Sequence, residues 1–137
     1  MMDGKLTRDR KLLAIWAANC AEHVIQYFEK EHPQDDRPRK AIEAGRAWAR
    51  DEIKTGEARA AALAAHAAAR VCENYVARSA ARASGQAAGT AHVAGHAYHA
   101  ASYAVKAAEA EGIVGELEWQ YRQLPKRLWP AMKKIVR

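Results

Sequence analysis

The sequence is poor in residues that interrupt helices and in the features that mark secreted or membrane proteins. Proline occurs 4 times in 137 residues, and no segment alternates apolar and polar residues between turn signals. Cys20 and Cys72 are far apart and have no CxxC spacing, so they indicate neither a disulfide framework nor a zinc motif. No run of about 18 apolar residues is present, and the N-terminus has no signal-peptide core. We therefore expect a soluble cytoplasmic protein with two buried thiols.

Alanine is the most abundant residue, with 33 copies, of which 24 lie between residues 57 and 112. Because alanine has the highest helix propensity, this composition predicts an all-α fold. The length fits a single domain over residues 1–137. We expect one bundle of five or six helices with a central antiparallel pair of long Ala-rich helices, residues 57–84 and 86–111. The first of these could break near Asn74. Small side chains allow such helices to pack closely.

Amphipathic helices are predicted before and after this pair. The first covers residues 7–31, with its first residue, a threonine, as the N-cap. The second is capped by Asp36 and ends at Gly56. A short helix over residues 114–123 follows the pair, and the basic segment 125–137 is expected to dock on the bundle or to be partly flexible.

The formal net charge is +6, but the excess is unevenly distributed. From residue 113 onward there are six Lys or Arg against two Glu, whereas the rest of the chain is nearly balanced. The basic excess therefore belongs to the C-terminal segment rather than to a uniform nucleic-acid-binding face. Nucleic-acid binding is not expected. If it occurred through the residues after Pro125, its affinity would depend steeply on salt.

A group of histidines is the main polar pattern of the Ala-rich region. His92, His96 and His99 have the spacing i, i+4 and i+7, and Tyr103 follows four residues later, so on one helix these side chains would share a face. His66 would approach them if the two Ala-rich helices pair. Two histidines on one helix face can chelate a metal, and a third can complete a site with an open position. His66, His92 and His96 are thus candidate ligands for zinc or another transition metal.

Other features argue against metal chemistry at these histidines. An H-E-x-x-H metalloprotease needs Glu directly after the first histidine, and this position is Val93. No Asp or Glu lies between Glu73 and Glu109, which disfavours a carboxylate-bridged dimetal site. A structural seam of neutral, hydrogen-bonded histidines is one alternative, and recognition of a partner or small ligand is another. Since no Ser or Cys lies in a nucleophile motif, the sequence gives no sign of hydrolase chemistry.

Two further groups of side chains are candidates for binding a partner. Arg37 and Arg39 lie at a predicted helix N-terminus, where Asp36 is expected to cap the free amides in place of a bound anion. The two arginines are then free to pair with a carboxylate on another helix or on a partner. The second group lies near the C-terminus and comprises Trp119, Arg122 and Trp129. Trp and Arg are enriched among the residues that dominate binding energy, so these side chains are candidate contact residues.

Several short motifs along the chain occur in a characteristic order. They are residues 36–42, Arg46, Trp48, residues 65–70, 85–87 and 90–93, His96 with Ala97, Tyr103, Trp119 with Gln120, and Leu124 with Pro125. In this order they resemble a family of small helical bacterial proteins described as immunity proteins of polymorphic-toxin systems. The resemblance implies a non-enzymatic inhibitor that binds a cognate toxin and protects its producer. The family has no agreed active site, so the resemblance assigns no catalytic residue in this chain.

The charge of the chain constrains the partner that this resemblance implies. Inhibitors of nucleases usually present acidic surfaces to basic clefts, and a chain at +6 is a poor mimic of nucleic acid. We therefore predict that the toxin is not a basic nuclease, or that it is bound away from its nucleic-acid groove. A homodimer is compatible with an all-helical surface of this kind. The alternative function is a metal- or small-ligand-binding helical protein that uses His66, His92 and His96.

Overall fold

The computed structural model describes residues 4–130 and Met132, and all regular structure in this part of the chain is helical, as the composition predicts. These residues form seven α-helices and one 3-10 turn rather than five or six helices. The elements are α1 (Gly4–Glu22), α2 (Ile25–Glu31), α3 (Arg37–Ala49), α4 (Thr55–Arg70), α5 (Tyr75–Gly89), α6 (His96–Ala110), α7 (Glu116–Arg122) and the 3-10 turn Lys126–Leu128. Within the described residues, none of these helices is both long and apolar enough to cross a membrane.

The Ala-rich region contains three helices, α4 to α6, where two were predicted. The break near Asn74 is confirmed, because the Asn74 side chain accepts a hydrogen bond from the Ala77 amide and so caps the start of α5. A second break, over residues 90–95, was not predicted. There the Thr90 hydroxyl donates back to the Gln86 carbonyl, and Gly95 precedes α6. The expected antiparallel pair of two long helices is therefore not confirmed.

Other predicted helix boundaries also differ from the structure. Residues 7–31 form two helices separated by a turn at residues 23–24, and α1 begins at Gly4, so Thr7 is not its N-cap. The predicted end of the second helix at Gly56 is wrong, since α3 ends at Ala49 and Gly56 lies in the first turn of α4. That turn is closed by the Glu57 carboxylate, which accepts a hydrogen bond from the Lys54 amide.

The helix α5 occupies the centre of the bundle and contacts α1, α2, α3, α4 and α6. Ten of its 15 residues are buried, and all ten are Ala, Ser or Gly. Its small side chains let neighbouring helices approach its backbone: a Cβ on Gly45 of α3 would lie 3.3 Å from the Ala87 carbonyl oxygen. The bulk of the core comes from a few large side chains that are almost fully buried, namely Trp16, Ile25, Phe28, Ile42 and Met132.

The start of the C-terminal segment docks on this bundle. The Tyr98 hydroxyl donates to the Leu128 carbonyl at 3.2 Å, Arg127 pairs with Asp9 at 2.5 Å, and Met132 is fully buried. The remainder of segment 125–137, namely residues 131 and 133–137, lies outside the described residues, so the prediction for that part stays a prediction.

Both cysteines are buried and unpaired, which confirms the two buried thiols expected from the sequence. Burial raises the pKa of the Cys20 thiol well above its ordinary value, and the nearby Glu116 carboxylate adds to the effect. Burial also raises the pKa of the Cys72 thiol. Neither cysteine therefore has the lowered pKa of a reactive thiolate.

Candidate functional site

The three histidines predicted as ligands line one cavity of about 240 Å³, but three different elements supply them. His66 lies on α4, His96 is the first residue of α6, and His92 lies in the turn between α5 and α6. The prediction that His92 and His96 share one helix face is therefore wrong. They meet His66 because the turn and two helices converge over α5.

Two glycines of α5 form the floor of this cavity. A Cβ on Gly85 would lie 2.5 Å from Cε1 of His66, and a Cβ on Gly89 would lie 3.1 Å from Cδ2 of His96. Because these glycines are one helical turn apart, the two imidazoles rest on the same stretch of α5. The two rings thus pack against the α5 backbone, while the hydrogen-bonded seam considered from the sequence stays a prediction.

The environment of the cavity favours the neutral forms of His66 and His96. Burial lowers the pKa of His66, and repulsion from His96 and from two neighbouring arginines lowers it further. The pKa of His96 is lowered first by burial and then by His99 and His92. A neutral imidazole has one acceptor nitrogen, which is the form that binds a metal or accepts a hydrogen bond.

Two polar atoms at this site lack a hydrogen-bond partner among the described residues. They are Nδ1 of His96 and Oε1 of Gln86, and both atoms are buried. An unpaired buried polar atom costs about 1–3 kcal/mol, so these atoms favour occupation of the cavity by a polar group. However, within residues 4–130 and Met132 no three His, Cys, Asp or Glu side chains are arranged to hold a metal ion. The imidazoles share the cavity without forming a coordination sphere.

The arginines at the start of α3 form ion pairs within the chain. Arg39 binds both carboxylate oxygens of Glu29, at 2.9 and 2.8 Å, and also reaches Glu22. Glu22 in turn accepts a hydrogen bond from Arg46 at 2.8 Å. Arg39 therefore connects α3 to α1 and α2, which is the carboxylate pairing between helices that the sequence analysis left open.

The capping prediction at this helix start is wrong in detail. Asp36 occupies the N-cap position, but its side chain makes no capping hydrogen bond and lies instead 3.3 Å from Lys40. The preceding carboxylate, Asp35, accepts from the Arg37 amide at 3.1 Å and forms a two-pronged pair with the Arg37 side chain. The sequence did not distinguish two adjacent aspartates, because either can reach the first free amides.

The two candidate tryptophans have different environments. Trp129 packs edge-on against Tyr121, and its indole N–H donates to the Tyr121 and Leu124 carbonyls at 3.0 and 2.7 Å. Trp119 instead stacks on His23, with ring centroids 3.6 Å apart, and lines an open groove of about 340 Å³. Arg122, near the end of α7, is exposed. Both tryptophans are half-buried, and Trp119 lines this groove.

A polar network at this groove, formed by the exposed His23 with the buried Glu116 and Gln120, was not identified from the sequence. His23 and Glu116 are joined by a 2.9 Å hydrogen bond from His23 Nδ1, although they are 93 residues apart in the chain. Gln120 is fully buried and donates to the other Glu116 oxygen and to the Ala101 carbonyl, at 3.2 and 3.0 Å. Glu116 lies in the first turn of α7, where acidic residues are common, so its sequence position does not indicate a buried partner. The network becomes visible only from the tertiary contacts.

The chain was compared with known protein families. The chain matches the family described as "Imm-5 like putative immunity protein" over residues 6–127 of 137. This range includes the histidine cavity, the Arg39 pairs and α7. No curated protein and no solved structure matches the chain significantly. The family match agrees with the resemblance carried by the sequence motifs. The chain belongs to the family of Imm-5 like putative immunity proteins.

Proposed function

We propose that this protein is a non-enzymatic immunity protein that binds and neutralises a cognate toxin in the cytoplasm of the bacterium that produces both. The observation that carries this proposal is the family match over residues 6–127. The described structure is compatible with it, because a closely packed helical frame presents its surface groups in fixed positions. A preorganised surface loses little conformational entropy when it binds.

The proposed contact residues are those selected from the sequence, and their environments suggest distinct roles. Trp119 and Arg122 lie on α7, where a partner can reach them. Arg37 and Arg39 are partly exposed and already paired with carboxylates, so they would meet a partner as neutralised ion pairs rather than as free hydrogen-bonding groups. Trp129 is partly buried and would act by holding the C-terminal segment in place.

Co-expression and titration with a toxin test this proposal. The catalytic domain of a toxin encoded beside this gene is expressed with and without the protein, and growth is measured. In vitro, the purified toxin is titrated with the protein and the residual toxin activity is followed. A binding inhibitor gives an endpoint at a fixed stoichiometric ratio, whereas an enzyme that modifies the toxin protects at far lower ratios. Light scattering of the free protein and of the complex gives the oligomeric state. Absence of binding and of protection would reject the proposal.

A second candidate function is binding of a metal ion or small polar ligand in the histidine cavity. It is favoured by the unpartnered atoms His96 Nδ1 and Gln86 Oε1. Protein purified without a histidine tag is subjected to elemental analysis and then titrated calorimetrically with Zn²⁺ and Ni²⁺. Stoichiometric metal that is lost on changing His92 and His96 to Ala would support this function. The matched control is His99→Ala, since His99 is exposed and does not line the cavity.

A further inference from the structure

Among the described residues, most carboxylates without an ion pair lie along one set of adjoining grooves. Most Asp and Glu side chains in the described residues form ion pairs with Lys, Arg or His, and Glu57 accepts a backbone hydrogen bond. Six carboxylates within residues 4–130 have neither kind of contact. One is Glu43 on α3, and the other five are Glu31, Glu73, Glu109, Glu111 and Glu118.

These five carboxylates border four adjoining grooves, which together we name the acidic face. The first groove includes Glu109 and Glu118 and shares residues 113–116 with a second, which also contains Tyr27 and Trp119. A third groove contains Tyr27 with Glu31 and Glu111, and a fourth contains Glu31 with Glu73. Among the described residues, Lys30 is the one Lys or Arg that lines these four grooves.

An exposed apolar tip lies within the acidic face. Val114 is 92% exposed and Ile113 is 47% exposed, at the turn between α6 and α7. Isolated exposed apolar residues are common, but this pair lines both the groove that contains Trp119 and the groove that contains Glu109 and Glu118. An apolar tip with a charged border has the arrangement of a protein-binding surface, in which a desolvated centre is surrounded by a polar rim.

The backbone of the turn holds this tip in a fixed conformation. Gly112 and Gly115 have φ values of 76° and 92°, which are accessible to glycine at little cost. The Ile113 amide donates to the Ala108 carbonyl at 2.9 Å, and the Gly112 amide donates to the Glu109 carbonyl at 3.0 Å. These two hydrogen bonds form a Schellman motif that closes the end of α6. The tip is therefore preorganised for contact, which reduces the entropy lost on binding.

We propose that the acidic face is the toxin-binding surface and that it takes a positively charged protein surface with an apolar recess for Val114. The inference rests on the proposed immunity function. Although the chain carries a net charge of +6, the groove-lining residues of this face include five unpaired glutamates and one lysine. The local charge, rather than the net charge, determines which partner surface is attracted at contact distance, because screening limits electrostatic effects to about 10 Å.

Two sets of variants with matched controls test the acidic face. Val114→Asp places a charge at the apolar tip, and its control is Val93→Asp, a 47% exposed valine in the turn before α6. Glu109→Lys/Glu111→Lys/Glu118→Lys reverses the charge of the face, and its control is Glu43→Lys on α3. Binding to the toxin encoded beside this gene is measured by surface plasmon resonance at low and high ionic strength. Circular dichroism establishes that each variant is folded.

The expected results separate the apolar contact from the electrostatic one. Val114→Asp should weaken binding by about 30-fold or more, mainly through faster dissociation, as for a central anchor residue. The triple charge reversal should slow association by about 10-fold at low ionic strength and remove most of its salt dependence. The two controls should bind as the unmodified protein does.

The failure of this inference is distinguishable from the failure of the proposed function. If the unmodified protein binds the toxin and all variants bind equally well, the toxin docks elsewhere and the immunity function stands. If the unmodified protein neither binds nor protects, the immunity function fails and the inference with it. If light scattering shows a homodimer that Val114→Asp dissociates, the face holds a second copy of this chain and the inference is overturned.

Discussion

The imidazole of His66 occupies the space that a side chain on residue 85 would need. A Cβ built on Gly85 would lie 2.5, 2.7 and 2.8 Å from three atoms of the His66 ring, closer than real Cβ contacts. The pair therefore couples α4 to α5: the ring lies against the α5 backbone only because residue 85 is glycine. This contact explains how an imidazole is accommodated between α4 and the small buried residues of α5.

Gly85→Ala is expected to destabilise the fold. The new methyl group must displace the His66 ring or separate α4 from α5, and overpacking of this kind costs about 1–3 kcal/mol. The free energy of unfolding in urea measures the cost. Nuclear magnetic resonance of the His66 ring would show the displacement.

Two further variants control for the general effect of adding a methyl group to a helix. Gly56 lies in the first turn of α4 with nothing within 4 Å of a Cβ, so Gly56→Ala should leave stability unchanged or raise it by up to about 1 kcal/mol. Adding His66→Ala to Gly85→Ala should recover part of the loss, because the two side chains then no longer compete for space. A Gly85→Ala variant as stable as the unmodified protein would show that His66 does not fix this spacing.

Stability should decrease as the pH falls below about 6.5, the ordinary pKa of histidine. The pKa values of His66 and His96 are lowered in the fold, so between the folded and unfolded values the unfolded chain binds more protons. The histidines therefore contribute stability that is complete above the unfolded pKa and is lost as the pH falls through the folded value. The groups facing them are His92, His99, Arg70 and Arg82, all of which disfavour a second positive charge.

Urea unfolding between about pH 7.5 and pH 5 measures this dependence, since the slope reports the difference in bound protons. The variant His66→Gln/His96→Gln should show a flatter profile. The comparison variant, His99→Gln, alters an exposed ring that does not line the cavity, and it should flatten the profile only by the part of the His96 shift that His99 causes. Carboxylates with lowered pKa values, such as Glu22 and Asp35, titrate below their ordinary values of 4.5 and 3.8 and fall outside this window. An unchanged slope in the double variant would contradict the assignment to the cavity.

The sequence predicted the helical class because alanine propensity acts at every position, but it did not predict the turn over residues 90–95. The spacing of His92, His96 and His99 satisfies a helical period, yet Thr90 and two nearby glycines interrupt the helix. His66, His92 and His96 nevertheless line one cavity, because α4, α6 and the turn before α6 converge over α5. The His23–Glu116 hydrogen bond and the acidic face are each formed by residues that are far apart in the sequence. A local sequence pattern cannot predict such contacts.

Replacing Arg39 should weaken the connection of α3 to α1 and α2. Arg39→Met keeps the apolar stem but removes the charge, leaving Glu29 without its pair and Glu22 with Arg46 alone. Because these side chains are about one-third exposed, the expected loss is about 1 kcal/mol.

The stability lost on replacing Arg39 should depend on salt concentration and on whether the replacement carries a guanidinium or an ammonium group. Thermal unfolding at low and high ionic strength should show a difference between Arg39→Met and the unmodified protein that shrinks as salt increases. Arg39→Lys should recover only part of the loss, because an ammonium group cannot bind both Glu29 oxygens and Glu22 as the guanidinium does. The control is Arg50→Met, which removes an exposed pair between neighbouring residues and should have no measurable effect. A comparable loss in both Met variants would show that Arg39 acts only as a surface charge.

We expect Trp119 to contribute to toxin binding and Trp129 to contribute to the stability of the fold. Trp129→Phe removes the indole N–H that donates to the Tyr121 and Leu124 carbonyls, so unfolding free energy should fall by about 1–2 kcal/mol while toxin affinity stays unchanged. Trp119→Ala removes a ring that stacks on His23 at the edge of a groove, and it should weaken toxin binding by about 10-fold or more. Urea unfolding and surface plasmon resonance on the same samples make the comparison. If Trp129→Phe lowered affinity without lowering stability, or if Trp119→Ala lowered only stability, the two roles would be reversed and the groove beside α7 would not be a contact surface.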